Sequence, residues 1–325
     1  MAKSVKAMPF IIPLVLAALF ASTGNAQQQK PTKAVQLMGL VGVKNNTKGN
    51  LAVEDGNLRF SYSKITSDLA ATSVQDVVTG SDSQRVIRGT LGTLSMFGPY
   101  GSDRFMSLFR TKLDTLTIQY RDADGGLHGV IFTSPVGTAE ITKGELLRMG
   151  AHTSIPTLGS PAPDKPEHAN NKEQPEAAQE GKPAKINATS ISVMMIQSDE
   201  IKLPAEFQVS LYENLIQQLQ KRGGFQHVYR EGDRNSDGAE NLIVLHSSVR
   251  GFKQGSEMAR QVTTVTGATS IHVHCEFTDK SGRLLLARDI NGKVWFLGGN
   301  LKATYDFAKK AASIARENVS PKAAS

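Results

Sequence analysis

The chain of 325 residues contains one cysteine and one tryptophan, and aromatic residues make up only 6% of it. A single thiol, Cys275, forms no intramolecular disulfide, so stability must come from ordinary apolar cores even in an oxidising compartment. Cys275 also sits on the apolar parity of the run Ile271, Val273, Cys275, Phe277, which predicts a buried, inert thiol. There is no Gly-x-Ser-x-Gly elbow, no lysine-bearing phosphate loop and no dinucleotide fingerprint, so no catalytic residue is assigned and no cofactor is expected. The formal charge of +7 is not gathered into Lys/Arg clusters interleaved with aromatics, which argues against nucleic acid as a partner.

Long apolar runs are also missing. The longest, Phe10 to Ala21, is about 12 residues where a spanning helix needs about 20. Lys3 and Lys6 precede it, and Gly24 and Ala26 follow at the positions a signal peptidase reads, so residues 1–26 are read as a signal peptide cleaved after Ala26. No cysteine near that site offers a lipid attachment point. The expected product has no stable membrane anchor and is periplasmic or secreted.

The remainder reads as α+β in two folded regions. Between residues 34 and 151 short strands alternate with turns, Asp55-Gly56 and Asp124-Gly125-Gly126 being the clearest, with further strands expected near Leu69 to Ser73, Val74 to Thr79 and Val86 to Met96. A helix from Thr138 to Met149 closes the region at Gly150. Roughly seven strands and one terminal helix resemble the small barrel of pleckstrin-homology and GRAM-type domains, which implies a barrel with a capping helix. Phosphoinositide binding is not implied, because Lys44 and Lys48 are the only basic residues between Val43 and Leu58. Residues 154–187 are rich in Pro, Ala and Glu and poor in large apolar side chains, the composition of a disordered linker that lets two domains act independently.

Residues 188–318 predict an α+β layer with an antiparallel or mixed sheet and two helices, followed by a flexible tail over 319–325. Phe207, Leu211, Leu215 and Leu219 recur every four residues as one helical stripe stopped by Gly223-Gly224. Strand signals run from Asn241 to Phe252, from Ser270 to Phe277 and from Arg283 to Ile290. Asn291-Gly292 suggests a type I′ turn before a return strand from Lys293 to Phe296. Tyr305, Ala308, Ala312 and Ala315 mark a second helix. The order of these elements, with Phe252, Gly255, Ser256, Arg260 and the Asp279 to Gly282 turn, resembles an uncharacterised bacterial family, domain of unknown function forty-four ten, found in secreted proteins and envelope lipoproteins. That resemblance implies an envelope context and no activity.

Candidate chemistry sits on one strand face. His272, His274 and Glu276 alternate against the apolar residues, and His246 lies on another strand, so these four form the candidate binding face. His272 and His274 are also the candidate metal ligands, the alternative function being a metal-assisted hydrolase. Arg260 is a candidate contact for an anion. Asp233, Asn235, Asp237 and Gly238 open like a calcium loop, but Val244 occupies the position of the closing carboxylate, so a solvated loop is expected. The expected function is a non-catalytic, exported binding or scaffold module whose partner is an envelope or extracellular protein or glycan.

Overall fold

A computed structural model describes residues 30–82, 113–155, 185–198, 201, 203–255, 268–294 and 301–320. The signal segment 1–26, the strand expected at Val86 to Met96, most of the linker, Arg260 and the return strand beyond Val294 lie outside these residues.

The first region is a seven-stranded antiparallel sheet: β1 (Thr32–Met38), β2 (Thr47–Glu54), β3 (Asn57–Tyr62), β4 (Ile65–Ala70), β5 (Val74–Thr79), β6 (Leu113–Arg121) and β7 (Leu127–Pro135), in the order β4-β3-β2-β1-β7-β6-β5. The β2–β3 hairpin turns at Asp55 (φ 50°) and Gly56 (φ 77°), the two positive φ values a type I′ turn requires. Leu69 from one edge strand and Val74 and Val77 from the other share a core with Phe60, Ile118, Phe132 and, from helix α1 (Thr138–Arg148), Leu146. The sheet therefore rolls around one core under a terminal helix, yet it does not close into the expected barrel. The segment after α1 already occupies the edge of β5: His152 N–H donates to Val74 O at 3.2 Å and the Thr153 hydroxyl donates to Val77 O at 2.8 Å. α1 is fixed from within by Lys143, whose Nζ lies 2.7 Å from Asp82 Oδ2 with both side chains almost fully buried.

The second region is a five-stranded mixed sheet, β10-β9-β11-β12-β13, built from β9 (Ser190–Val193), β10 (His227–Arg230), β11 (Leu242–Lys253), β12 (Thr269–Asp279) and β13 (Leu284–Val294). Helices α2 (Ala205–Arg222) and α3 (Lys302–Asn318) both cover one face. Leu211, Leu215, Leu219, Phe307, Ala308 and Ala312 are buried in one core with Ile271, Val273, Cys275 and Phe277. Tyr305 was expected on the apolar stripe of α3 but is exposed, and Phe307 and Ala311 take that face instead.

Asn291-Gly292 is not a turn. β13 runs straight through it, and the hairpin with β12 falls at Gly282 (φ 85°), where the Asp279 carboxylate accepts from Ser281 N–H and Arg283 N–H. Gly292 is needed because α3 passes so closely that an added Cβ would meet Ala303 O and Phe307 Cβ. The tail also departs from expectation, since Val319–Ser320 (β14) pairs in parallel with Ile186–Asn187 (β8).

The two regions are not independent, as the linker composition implied. Their seam buries Glu213 of α2, whose carboxylate accepts from Gly129 N–H of β7 at 2.8 Å and from both Arg230 terminal nitrogens at 2.7 and 2.9 Å. Arg230 Nη1 also donates to Leu127 O, and Leu127 N–H donates to Glu231 O. Met38, Ile131 and Val209 supply an apolar patch beside these bonds. Gly129 is required here, because a Cβ would lie 2.5 Å from Val209 Cγ1. The loop that opens like a calcium site serves the same seam. Asp233 caps Asn235 N–H, while Arg234 donates its backbone N–H to Asp124 O and its side chain to Ala123 O.

Candidate functional site

Because α2 and α3 lie on the same side, the opposite face of the five-stranded sheet carries no helix among the described residues. Strand alternation fixes which residues it presents. On β12, Ile271, Val273, Cys275 and Phe277 point into the core, while His272 is exposed and His274 and Glu276 are half-buried on the other face. On β11 the same alternation sends Leu245 and Val249 inward and His246 and Ser248 outward. Register then assembles the group: His246 stands opposite Glu276, Ser248 opposite His274, and His274 opposite Asp289 of β13.

His246, Ser248, His274 and Glu276 line a cavity of about 280 Å³, with Gln197 and Arg250 completing its side-chain wall and Asp289 outside it. Gln197 reaches it through a short parallel bridge to Ser248, its N–H donating to Ser247 O while Val249 N–H donates to Gln197 O. His274 is flanked on both sides, with Nδ1 2.8 Å from Asp289 Oδ1 and Nε2 3.1 Å from Glu276 Oε1. Two carboxylates thus orient one imidazole, and the imidazole in turn fixes the Glu276 carboxylate at the cavity wall.

Three of the four residues expected on the binding face therefore meet in one cavity: His246, His274 and Glu276. His272 shares the face but does not line the cavity, and instead lies against Gly251 on β11. His272 and His274 do not converge as metal ligands. They lie two positions apart on one strand, both ring nitrogens of His274 already face carboxylates, and among the described residues no three His, Cys, Asp or Glu side chains come together as a metal ion would require. Gln197, Ser248, Arg250 and Asp289 are additions that sequence reasoning missed. Only cross-strand register places them, although the outward parity of Ser248 was visible in the Leu245, Ser247, Val249 alternation.

Cys275 is fully buried on the opposite side. Burial pushes its thiol up to about 12, so it stays protonated at neutral pH, with Ser247 Oγ 3.5 Å from its sulfur.

No family model and no curated protein matches the chain. Among solved structures it is similar to the PelC dodecamer from Paraburkholderia phytofirmans, at 17% identity over 42% of this chain and 93% of that one with a TM-score of 0.32. A single-residue variant of the same protein matches at 18% identity, 41% and 91% coverage and a TM-score of 0.30. An uncharacterized protein matches at 15% identity, 42% and 94% coverage and a TM-score of 0.25. Likenesses of this size carry no argument about activity. No helix among the described residues is long and apolar enough to cross a membrane.

Proposed function

We propose that the protein is a non-catalytic binding module of the bacterial envelope, periplasmic or secreted, and that its working surface is the face of the five-stranded sheet opposite α2 and α3. Export rests on the N-terminal signal pattern, and the envelope setting on the resemblance of the C-terminal region to domain of unknown function family forty-four ten. One observation carries the choice of surface: both helices pack on one side, leaving His246, His274 and Glu276 half-exposed around a cavity on the other. A sheet covered on one side commonly leaves its other face to solvent, and here that face holds a histidine between two carboxylates.

The sheet edge is a poorer docking surface than the face. On β13, one of the two edges, the outward Lys293 N–H donates to Asp306, Asn291 O accepts from Lys310, and Ala287 O accepts from Arg288, so three groups of that edge are already satisfied. The partner is therefore an envelope protein or glycan that docks on side chains rather than adding a strand.

Co-sedimentation of the full chain with isolated envelope fractions tests the reading. The wild-type chain is expected to pellet with them, and His246→Ala/His274→Ala is expected to stay in the supernatant while keeping its melting temperature. Equal pelleting of the two proteins would remove the face from consideration.

A further inference from the structure

We infer that the cavity between β11 and β12 is a subsite for one uncharged polyhydroxyl unit, a neutral sugar ring of an envelope glycan. This rests on the reading of the face given above and names the ligand class it takes.

The fold leaves hydrogen-bonding capacity uncommitted at this cavity. Among the described residues the Gln197 amide, the His246 ring and the Ser248 hydroxyl make no side-chain hydrogen bond, although all three line the cavity and both His246 and Ser248 are half-buried. An amide offers two donors and an acceptor, a hydroxyl offers one donor and two acceptors, and a neutral imidazole offers one of each. Glu276 adds acceptor capacity on a carboxylate whose orientation His274 fixes. Donors and acceptors are thus interleaved at cross-strand spacing, about 5 Å between opposed Cβ atoms. Hydroxyl groups, which are donors and acceptors at once, match such a wall. A phosphate or a carboxylate, which only accepts when ionised, does not.

Charge leads to the same class. An anion entering here would approach Glu276 directly, with Asp289 behind His274, and Arg250 already has a partner and is not a free counter-charge. A cation entering here would meet Glu276 but also the Arg250 guanidinium, so the wall matches neither sign of charge by itself. Size also fits a single ring, since cavities for larger organic ligands run from about 300 to 1,000 Å³ and this one holds about 280 Å³.

The test is NMR titration of the full chain with four probes: methyl galactoside and methyl glucoside as neutral rings, galacturonate as an anionic ring and glucosamine as a cationic one. Saturable shifts of residues around Gln197, Ser248 and Glu276 are expected with a neutral ring, insensitive to salt. They should weaken at least ~tenfold in Gln197→Ala and in Ser248→Ala, the loss expected from about 1.4 kcal/mol of hydrogen bonding. Tighter, salt-dependent binding of galacturonate or glucosamine would overturn the neutral class. Absence of binding by all four probes while the chain still pellets with envelope fractions would overturn the subsite and leave the binding face standing. Loss of both would remove the face itself.

Discussion

The seam between the two sheets and the face of the second sheet opposite α2 and α3 both carry charged and polar side chains, yet they use them in opposite ways. In the seam, Glu213 meets Arg230 in a two-pronged pair with side-chain exposures of 2% and 15%, and Gly129 N–H uses another lone pair of the same carboxylate. On the face, His274 meets Glu276 and Asp289 at exposures of 25%, 34% and 82%, and its neighbours His246 and Ser248 are uncommitted. Saturated, buried polar groups hold a structure together, because removing one partner strands the other away from water. Half-exposed, partly unsaturated groups contribute little to stability and remain available to a ligand. The difference separates a structural site from a candidate functional one more sharply than residue identity does.

Glu213→Ala separates the seam from the face most strongly. It leaves the Arg230 guanidinium buried without its counter-charge and removes the acceptor of Gly129 N–H, so a loss of about 3–5 kcal/mol is expected. Chemical denaturation reads this directly. A loss below about 1 kcal/mol would show that the seam is hydrated and that the two sheets are held by something else.

How much of this was legible beforehand follows from where each residue's partner lies in the sequence. The alternation of Ile271 to Phe277 is local, so the two faces of β12 and the burial of Cys275 could be read directly. Asn291-Gly292 carries the chemistry of a hairpin turn, but its glycine answers to α3 passing overhead, a contact no local pattern reports. The seam was invisible for the same reason. Glu213 finds Gly129 across 84 residues, on the far side of a proline-rich stretch whose composition suggested independence. One sign was present: Val209 and Glu213 lie off the Phe207, Leu211, Leu215, Leu219 stripe yet are one helical turn apart, as a second buried face requires. The cavity fell between these cases, with outward parity readable and the register that brings His246 to Glu276 and His274 to Asp289 not.

A smaller effect depends on pH and arises at one histidine beside the seam. His128 lies near the seam, stacked on Tyr120, with Nε2 2.8 Å from Asp122 Oδ2 and with its Nδ1 buried and unpaired. Burial first, and the Arg230 charge second, lower its pKa below the ordinary 6.5, against the opposing pull of Asp122 and Glu213. The unfolded chain therefore takes up this proton before the folded one does. Stability from His128 is full above about pH 6.5, falls as the pH drops from there towards the lowered folded value, and changes no further below it. Asp122 acts at lower pH. Burial raises its pKa, but the His128 and Gly126 hydrogen bonds outweigh burial and hold the carboxyl below its ordinary 3.8, so its contribution is lost only as the pH falls through that lower range. Denaturation midpoints between pH 7 and 5 should thus fall in the wild-type chain and flatten in His128→Gln. Stability that rises on acidification would mean that the Asp122 attraction dominates and that the seam favours a charged imidazole.

On the face, loss of side chains should hardly change stability. His246→Ser/His274→Ser removes two rings that are only half-buried, one of them without any hydrogen bond, and leaves the apolar parity of β11 and β12 untouched. Glu276 and Asp289 lose a shared partner but both carboxylates reach water, so the change should stay within about 0.5 kcal/mol, against several for Glu213→Ala. Cys275 provides an internal check because it lies between His274 and Glu276 in sequence and points into the opposite layer, with its thiol shifted by burial to about 12. In the double variant it should resist thiol reagents under native conditions as it does in the wild-type chain, and react only on unfolding. Labelling at the native midpoint of neither protein, together with an unchanged melting temperature, is the outcome expected of a surface kept for a partner. Rapid native labelling of Cys275 in the variant would mean that His246 and His274 hold the sheet together, which would place the face in the same structural class as the seam.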